Sequence, residues 1–201
     1  MRPTTTIPLI MAFYFESTKP SARSRLSFTL IELLIVIAVI AVLATVVILV
    51  INPAELLKES RDANRLSDMK TLDQAIELYS EDVGTGMGTS SVLYLSVPDP
   101  TATTSAGSDC SGLGLSSSSL PSGWAWHCAG PSYYKKVDGT GWIPIDFQSA
   151  SFGSSLGTEP VDPTNSTSSG LYYAYVASGT NFELTALMES GKYAMGGSKD
   201  V

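Results

Sequence analysis

The sequence predicts an α+β fold: a long N-terminal helix with a membrane-embedded first half, and a small antiparallel sheet packed on its outer half. Three observations predict it. Residues 28–51, "FTLIELLIVIAVIAVLATVVILVI", are apolar except at Thr29, Glu32 and Thr45. Met69, Leu72, Ile76, Tyr79 and Val83 then recur at spacings of 3, 4, 3 and 4, the period of one helix face. Near the C-terminus, "LYYAYVASGTNFELTALME" is two alternating runs around a glycine-containing turn, the pattern of a hairpin.

The apolar run has 24 residues and one charge. At about 1.5 Å rise per residue it spans a hydrocarbon core of about 30 Å. Charge divides the chain at the same place. Arg2, Lys19, Arg23 and Arg25 stand against Glu16 before Phe28, whereas eight basic residues face eighteen acidic ones after it, for a net charge of −7 over 201 residues. A basic flank places the N-terminus in the cytoplasm and everything beyond Ile51 outside. The acidic outer portion argues against nucleic acid as a direct partner, because phosphate binding needs a basic footprint. A secretory signal has an apolar core of about 7 to 15 residues, shorter than this run, although Val42-Leu43-Ala44 would serve as its cleavage site. Upstream, "IPLIMAFYF" is too short to span a membrane, and Met11 is an alternative start to Met1.

Glu32 is the anomaly. A carboxylate in hydrocarbon costs roughly 2.5 to 3.5 kcal/mol, so it calls for a partner or a purpose. A signal peptide or simple anchor gains nothing from it.

"RSRLS" followed by "FTLIELLIVIAVIAVLA" resembles the class III signal of type IV pilins and type II secretion pseudopilins. In that family a prepilin peptidase cuts on the cytoplasmic side just before a Phe and N-methylates the new terminus. The resemblance implies a removed leader of residues 1–27, cleavage between Ser27 and Phe28, a methylated Phe28, and Glu32 as fifth residue of the mature chain. It also implies that Glu32 pairs with the terminal amine of a neighbouring subunit during assembly, offsetting the burial of both charges and fixing axial register. Two departures stand out. Ser27 occupies a position that is usually Gly, and the first Pro after the cut is Pro53, beyond the apolar run.

Residues 52–83 continue as an amphipathic helix. Asn52-Pro53-Ala54-Glu55 reads either as a cap opening a second helix or as a kink in a continuous one. The apolar stripe, extended backwards by Leu66, faces a sheet, with charges on the other side. Gly84 and Gly86 stop the helix. Residues 84–201 form the exported globular part, with a Gly-, Ser-, Thr- and Pro-rich loop at 99–130. Cys110 and Cys128 enclose 17 residues on the oxidising side, and as a disulfide they would contribute about 3 kcal/mol.

"SVLYLSV" and "GWIPIDF" are further candidate strands. The hairpin's Leu171, Tyr173 and Tyr175, with Phe182, Leu184, Ala186 and Met188, should lie on the helical stripe. Trp124, Trp126 and Trp142 read as caps on a small core. Asn165-Ser166-Thr167 is a sequon by pattern, and an ordinary polar turn is the simpler reading.

The expected function is structural, not enzymatic: a subunit of a type IV pilus or pseudopilus. Its partners are prepilin peptidase, further copies of itself, other pilins and membrane lipid. No cofactor or metal is expected, with structural calcium at Asp138, Asp146 and Asp162 as a weaker option, since no spacing matches a calcium loop. The competing class is a monomeric, anchored domain that binds or hydrolyses a ligand in a pocket of Trp124, Trp126, His127 and Cys128. His127 is the one histidine in the sequence, too few ligands for zinc.

Overall fold

Helix α1 (Leu30–Ile51) takes up the apolar run. The computed structural model describes residues 28–102 and 109–196, so the expected leader, Ser27 and loop residues 103–108 lie outside the described residues. The chain divides into two compact units, residues 1–47 and 48–201. In the first, the side chains of α1 are exposed on every face, from Leu30 to Val47. A helix that is apolar all round has no polar face to turn to water, and this one is long and apolar enough to cross a membrane.

In the second unit, α2 (Pro53–Asp82) begins one residue after α1 ends. Asn52 breaks the two apart in the left-handed conformation, with φ 45°. Pro53 disfavours the right-handed helical region at the residue before it, and Asn tolerates the left-handed one. The expected cap does not form: Asn52 makes no side-chain capping bond, and Glu55 instead accepts from the Gly191 N–H at 2.5 Å. At the other end the N–H groups of Val83 and Gly84 close onto Tyr79 O, and Gly84 takes φ +65°, the left-handed terminator expected there.

Among the described residues four strands form one sheet: β1 (Val92–Leu95), β2 (Ala125–Cys128), β3 (Tyr173–Ser178) and β4 (Asn181–Ala186), in the order β2-β1-β3-β4. The sheet is mixed rather than antiparallel throughout. β1 pairs antiparallel with β3, and β3 with β4, but β1 and β2 run parallel with Val92 opposite Ala125. The long connection between β1 and β2 supplies the crossover that a parallel pair requires. The expected loop at 99–130 therefore includes a strand, Ala125–Cys128, near its end.

"GWIPIDF" is not a strand of the sheet. Its main chain bonds elsewhere: Trp142 N–H to Tyr134 O, Ile143 N–H to a Glu159 carboxyl oxygen, and Phe147 N–H to Val137 O. Pro144 has no N–H to offer a ladder. Its side chains still enter the core, with Trp142, Ile143, Ile145 and Phe147 all buried.

Strand alternation sends the two sheet faces to different neighbours. Tyr94, Tyr173, Tyr175 and Ala177 pack with Leu72, Ala75, Ile76 and Tyr79 of α2, with Phe182, Leu184 and Ala186 partly buried at the margin. The strands of the hairpin thus lie on the helical stripe as expected, whereas Leu171 and Met188, just outside them, are not part of that cluster. Leu95 and Ala174 point the other way, onto Cys110 and Cys128.

Candidate functional site

The first turn of α1 gives Glu32 a local partner. Thr29 N–H and Thr29 hydroxyl both donate to Glu32 Oε2, at 3.0 and 2.9 Å, and Glu32 N–H donates back to Thr29 Oγ1 at 3.2 Å. This reciprocal capping box satisfies main-chain donors that a helix start leaves open. Thr29 and Glu32 have the required spacing in the sequence, so the motif could have been read there. Both bonds from Thr29 fall on one carboxylate oxygen; Oε1 has no partner among the described residues.

A second polar constellation went unread. Asp62 and Arg65 lie on the inward face of α2, continuing the apolar stripe towards the helix start, and both are fully buried. Arg65 bonds to Asp162 through two nitrogens, to Asp62 Oδ1 at 2.7 Å and to Glu189 Oε1 at 2.7 Å. Asp62 also accepts from the N–H groups of Glu189 and Ser190, and Asp162 from those of Thr164 and Asn165. Arg61 adds a two-pronged pair to Glu189. Burial works against the Arg65 charge, but the hydrogen bonds it donates to Asp162, Glu189 and Asp62 outweigh it and raise its pKa. The bond from Arg61 chiefly, with help from Arg65, lowers Glu189 to about 2. This clasp ties α2 to the segment before β3 and to the one after β4. Helical spacing of Asp62 and Arg65 with Met69 and Leu72 was its only signal.

The candidate pocket residues do not converge. On β2, Trp126 and Cys128 face the disulfide side, where Trp126 Nε1 donates to Ser116 O at 3.2 Å. His127 points to the opposite face, edge-on to Tyr94 with ring centroids 4.9 Å apart, and burial lowers its pKa. Cys110 and Cys128 form a disulfide. Trp142 is a core residue, its Nε1 donating to Pro160 O.

The three aspartates considered for calcium have separate duties. Asp162 belongs to the clasp; Asp138 accepts from Thr140 and Asp146 from Gln148 N–H, each within its own turn. Among the described residues no three His, Cys, Asp or Glu side chains gather to hold a metal. Asn165 of the sequon is also engaged, its Nδ2 donating to Ser96 O and its Oδ1 accepting from Ser96 Oγ. That is the polar turn of the simpler reading.

Glu159 is buried without a cation. Its Oε2 accepts from Ile143 N–H at 3.0 Å, and its Oε1 has no partner among the described residues. Burial pushes its pKa well above the ordinary carboxyl range, against the pull of the Ile143 and Trp142 N–H groups.

Residues 23–48 match the family model described as the prokaryotic N-terminal methylation motif. No curated protein and no solved structure matches the chain. The motif supports a pilin-like precursor, and the apolar helix that follows it has the length and composition of a membrane anchor. Together they fit a type IV pilin or pseudopilin-like family. The motif is a structural one, not that of an enzyme, and it implies processing by prepilin peptidase and assembly with other pilins.

Proposed function

We propose that this chain is a structural subunit of a type IV pilus or pseudopilus, cut between Ser27 and Phe28, N-methylated at Phe28 and polymerised through its N-terminal helix. The observation that carries the proposal is a methylation motif running directly into an all-apolar helix whose first turn holds the segment's one carboxylate. Before assembly α1 lies in lipid with its start at the cytoplasmic face and residues beyond 51 outside. Arg23 and Arg25 ahead of the helix support that orientation, and so does the disulfide, which forms in an oxidising compartment. Glu32 has a double role. Thr29 holds it through Oε2, and Oε1 remains for the amine of Phe28 on a neighbouring subunit, a charge-assisted bond strengthened by the low dielectric. The subunit requires no cofactor and captures no nucleic acid itself.

Mass spectrometry of the N-terminal peptide from native membranes tests the processing. A chain beginning at N-methylated Phe28 is expected. One beginning at Met1, at Met11 or near Thr45 would remove the amine partner of Glu32 and end the assembly mechanism with it.

A further inference from the structure

The turn Tyr133–Lys136 is a basic knuckle on an acidic protein. The N–H groups of Tyr133 and Tyr134 both bond to Gly130 O, and Lys136 N–H bonds to Tyr133 O, which holds the turn in shape. Lys136 Nζ stands 4.4 Å from the Tyr133 ring centroid, and Lys135 Nζ 5.3 Å from that of Tyr134. Both ammonium groups are exposed. Lys58, Arg61, Arg65 and Lys192 have ion-pair partners, whereas neither lysine of the knuckle forms an ion pair among the described residues. The next carboxylate along the chain, Asp138, is bonded to the N–H and hydroxyl of Thr140 and feels Lys136 through space without forming an ion pair with it.

The outer face of α2 carries the opposite charge. Asp73, Glu77 and Glu81 follow one another at four-residue spacing, all exposed and without an ion pair among the described residues. Like charges at that spacing oppose the helix that carries them, so this ladder is a local cost that no ion pair among the described residues offsets. Lys70, one turn earlier, pairs with none of them. Between Glu77 and Glu81, Leu78 is 50% exposed at a hollow of about 560 Å³ that Ala75 and Ser155 also line.

We propose that this α2 face receives the Tyr133–Lys136 turn of a second copy of the chain. Lys135 and Lys136 pair with Glu77 and Glu81, and a tyrosine ring covers Leu78. Charge complementarity selects the occupant: the chain carries both halves of the contact, and among the described residues they form no ion pair with each other. Two different patches meeting make a head-to-tail interface, the kind that extends an open helical filament when its rotation does not close into a ring. An aromatic anchor ringed by charge pairs is also the usual make-up of a productive contact. The proposal rests on the filament reading above.

Charge reversal in the full-length chain tests it, in the native host lacking its own copy, with sheared filament and processed subunit in the membrane both quantified. K135E/K136E and E77K/E81K should each lower filament yield on the order of tenfold at an unchanged membrane pool. The fourfold variant, with the charges exchanged, should recover to within about twofold of the unaltered chain. Because all four side chains are exposed, the membrane pool separates lost assembly from lost folding. Single reversals that leave the yield unchanged, or an exchange no better than its weaker parent, would overturn this interface while leaving the filament reading intact. A chain that forms no filament even unaltered would remove both.

Discussion

Replacing Arg65 with alanine removes the one cation that the buried carboxylates of Asp62 and Asp162 share. Arg65 and both aspartates have side chains with no exposure at all. Taking away one partner of a buried ion pair costs about 3 to 5 kcal/mol, chiefly because a charge is left behind in low dielectric. Here the loss belongs at the lower end, about 3 kcal/mol. Asp62 keeps the N–H groups of Glu189 and Ser190, Asp162 keeps those of Thr164 and Asn165, and Glu189 keeps Arg61. For a unit of this size each kcal/mol lowers Tm by about 2 to 4 °C, so R65A should melt about 6 to 12 °C below the unaltered chain. The assay is thermal unfolding of the full chain in detergent micelles. Near-ultraviolet circular dichroism from buried Trp142, Tyr173 and Tyr175 reports the second unit and is blind to α1, which has no Trp or Tyr. R61A serves as the comparison, since Arg61 is partly exposed and has Glu189 as its one ion-pair partner among the described residues; solvent screens such a pair, so its loss should lower Tm far less than R65A does. A fall of less than about 3 °C for R65A, or equal falls for the two variants, would refute the clasp as the junction between α2 and the sheet's flanking segments.

Two further perturbations probe the same unit. Glu159 has a raised folded-state pKa, so its contribution is fully present below its unfolded pKa and is lost as pH rises through the folded value. E159Q should therefore match the unaltered chain near pH 4, exceed it in Tm at pH 8 and show a flatter profile between; parallel profiles across that range would show that burial of this carboxyl does not govern stability. Removing the disulfide with C110S/C128S should cost about 3 kcal/mol, because an 18-residue separation leaves a moderate loop to close, read as a lower urea midpoint with a somewhat steeper slope as the denatured chain loses its cross-link. A midpoint unchanged by the double substitution would mean that the bridge holds nothing the sheet does not already hold.

What the sequence by itself determined is local. The apolar run, its lone carboxylate, the stripe from Met69 to Val83, the glycine stop at Gly84 and the hairpin at 171–188 each depend on neighbours a few residues apart, and periodicity records such neighbours directly. The capping box of Thr29 and Glu32 belongs with them, since its spacing is visible once the helix start is placed. What only the tertiary structure decided depends on residues far apart in the chain. The parallel pairing of β1 with β2 is fixed by where a long loop returns, and alternation along a short strand does not encode direction. Arg65 meets Asp162 across 97 residues and Glu189 across 124. A charged residue on a helix reads as solvated until a partner arrives to bury it, so the clasp was hidden by the same rule that revealed the stripe. The "GWIPIDF" segment shows the converse, because its side chains reached the core as their hydrophobicity required, while its main chain found hydrogen bonds in Tyr134, Val137 and Glu159 that no local pattern specifies.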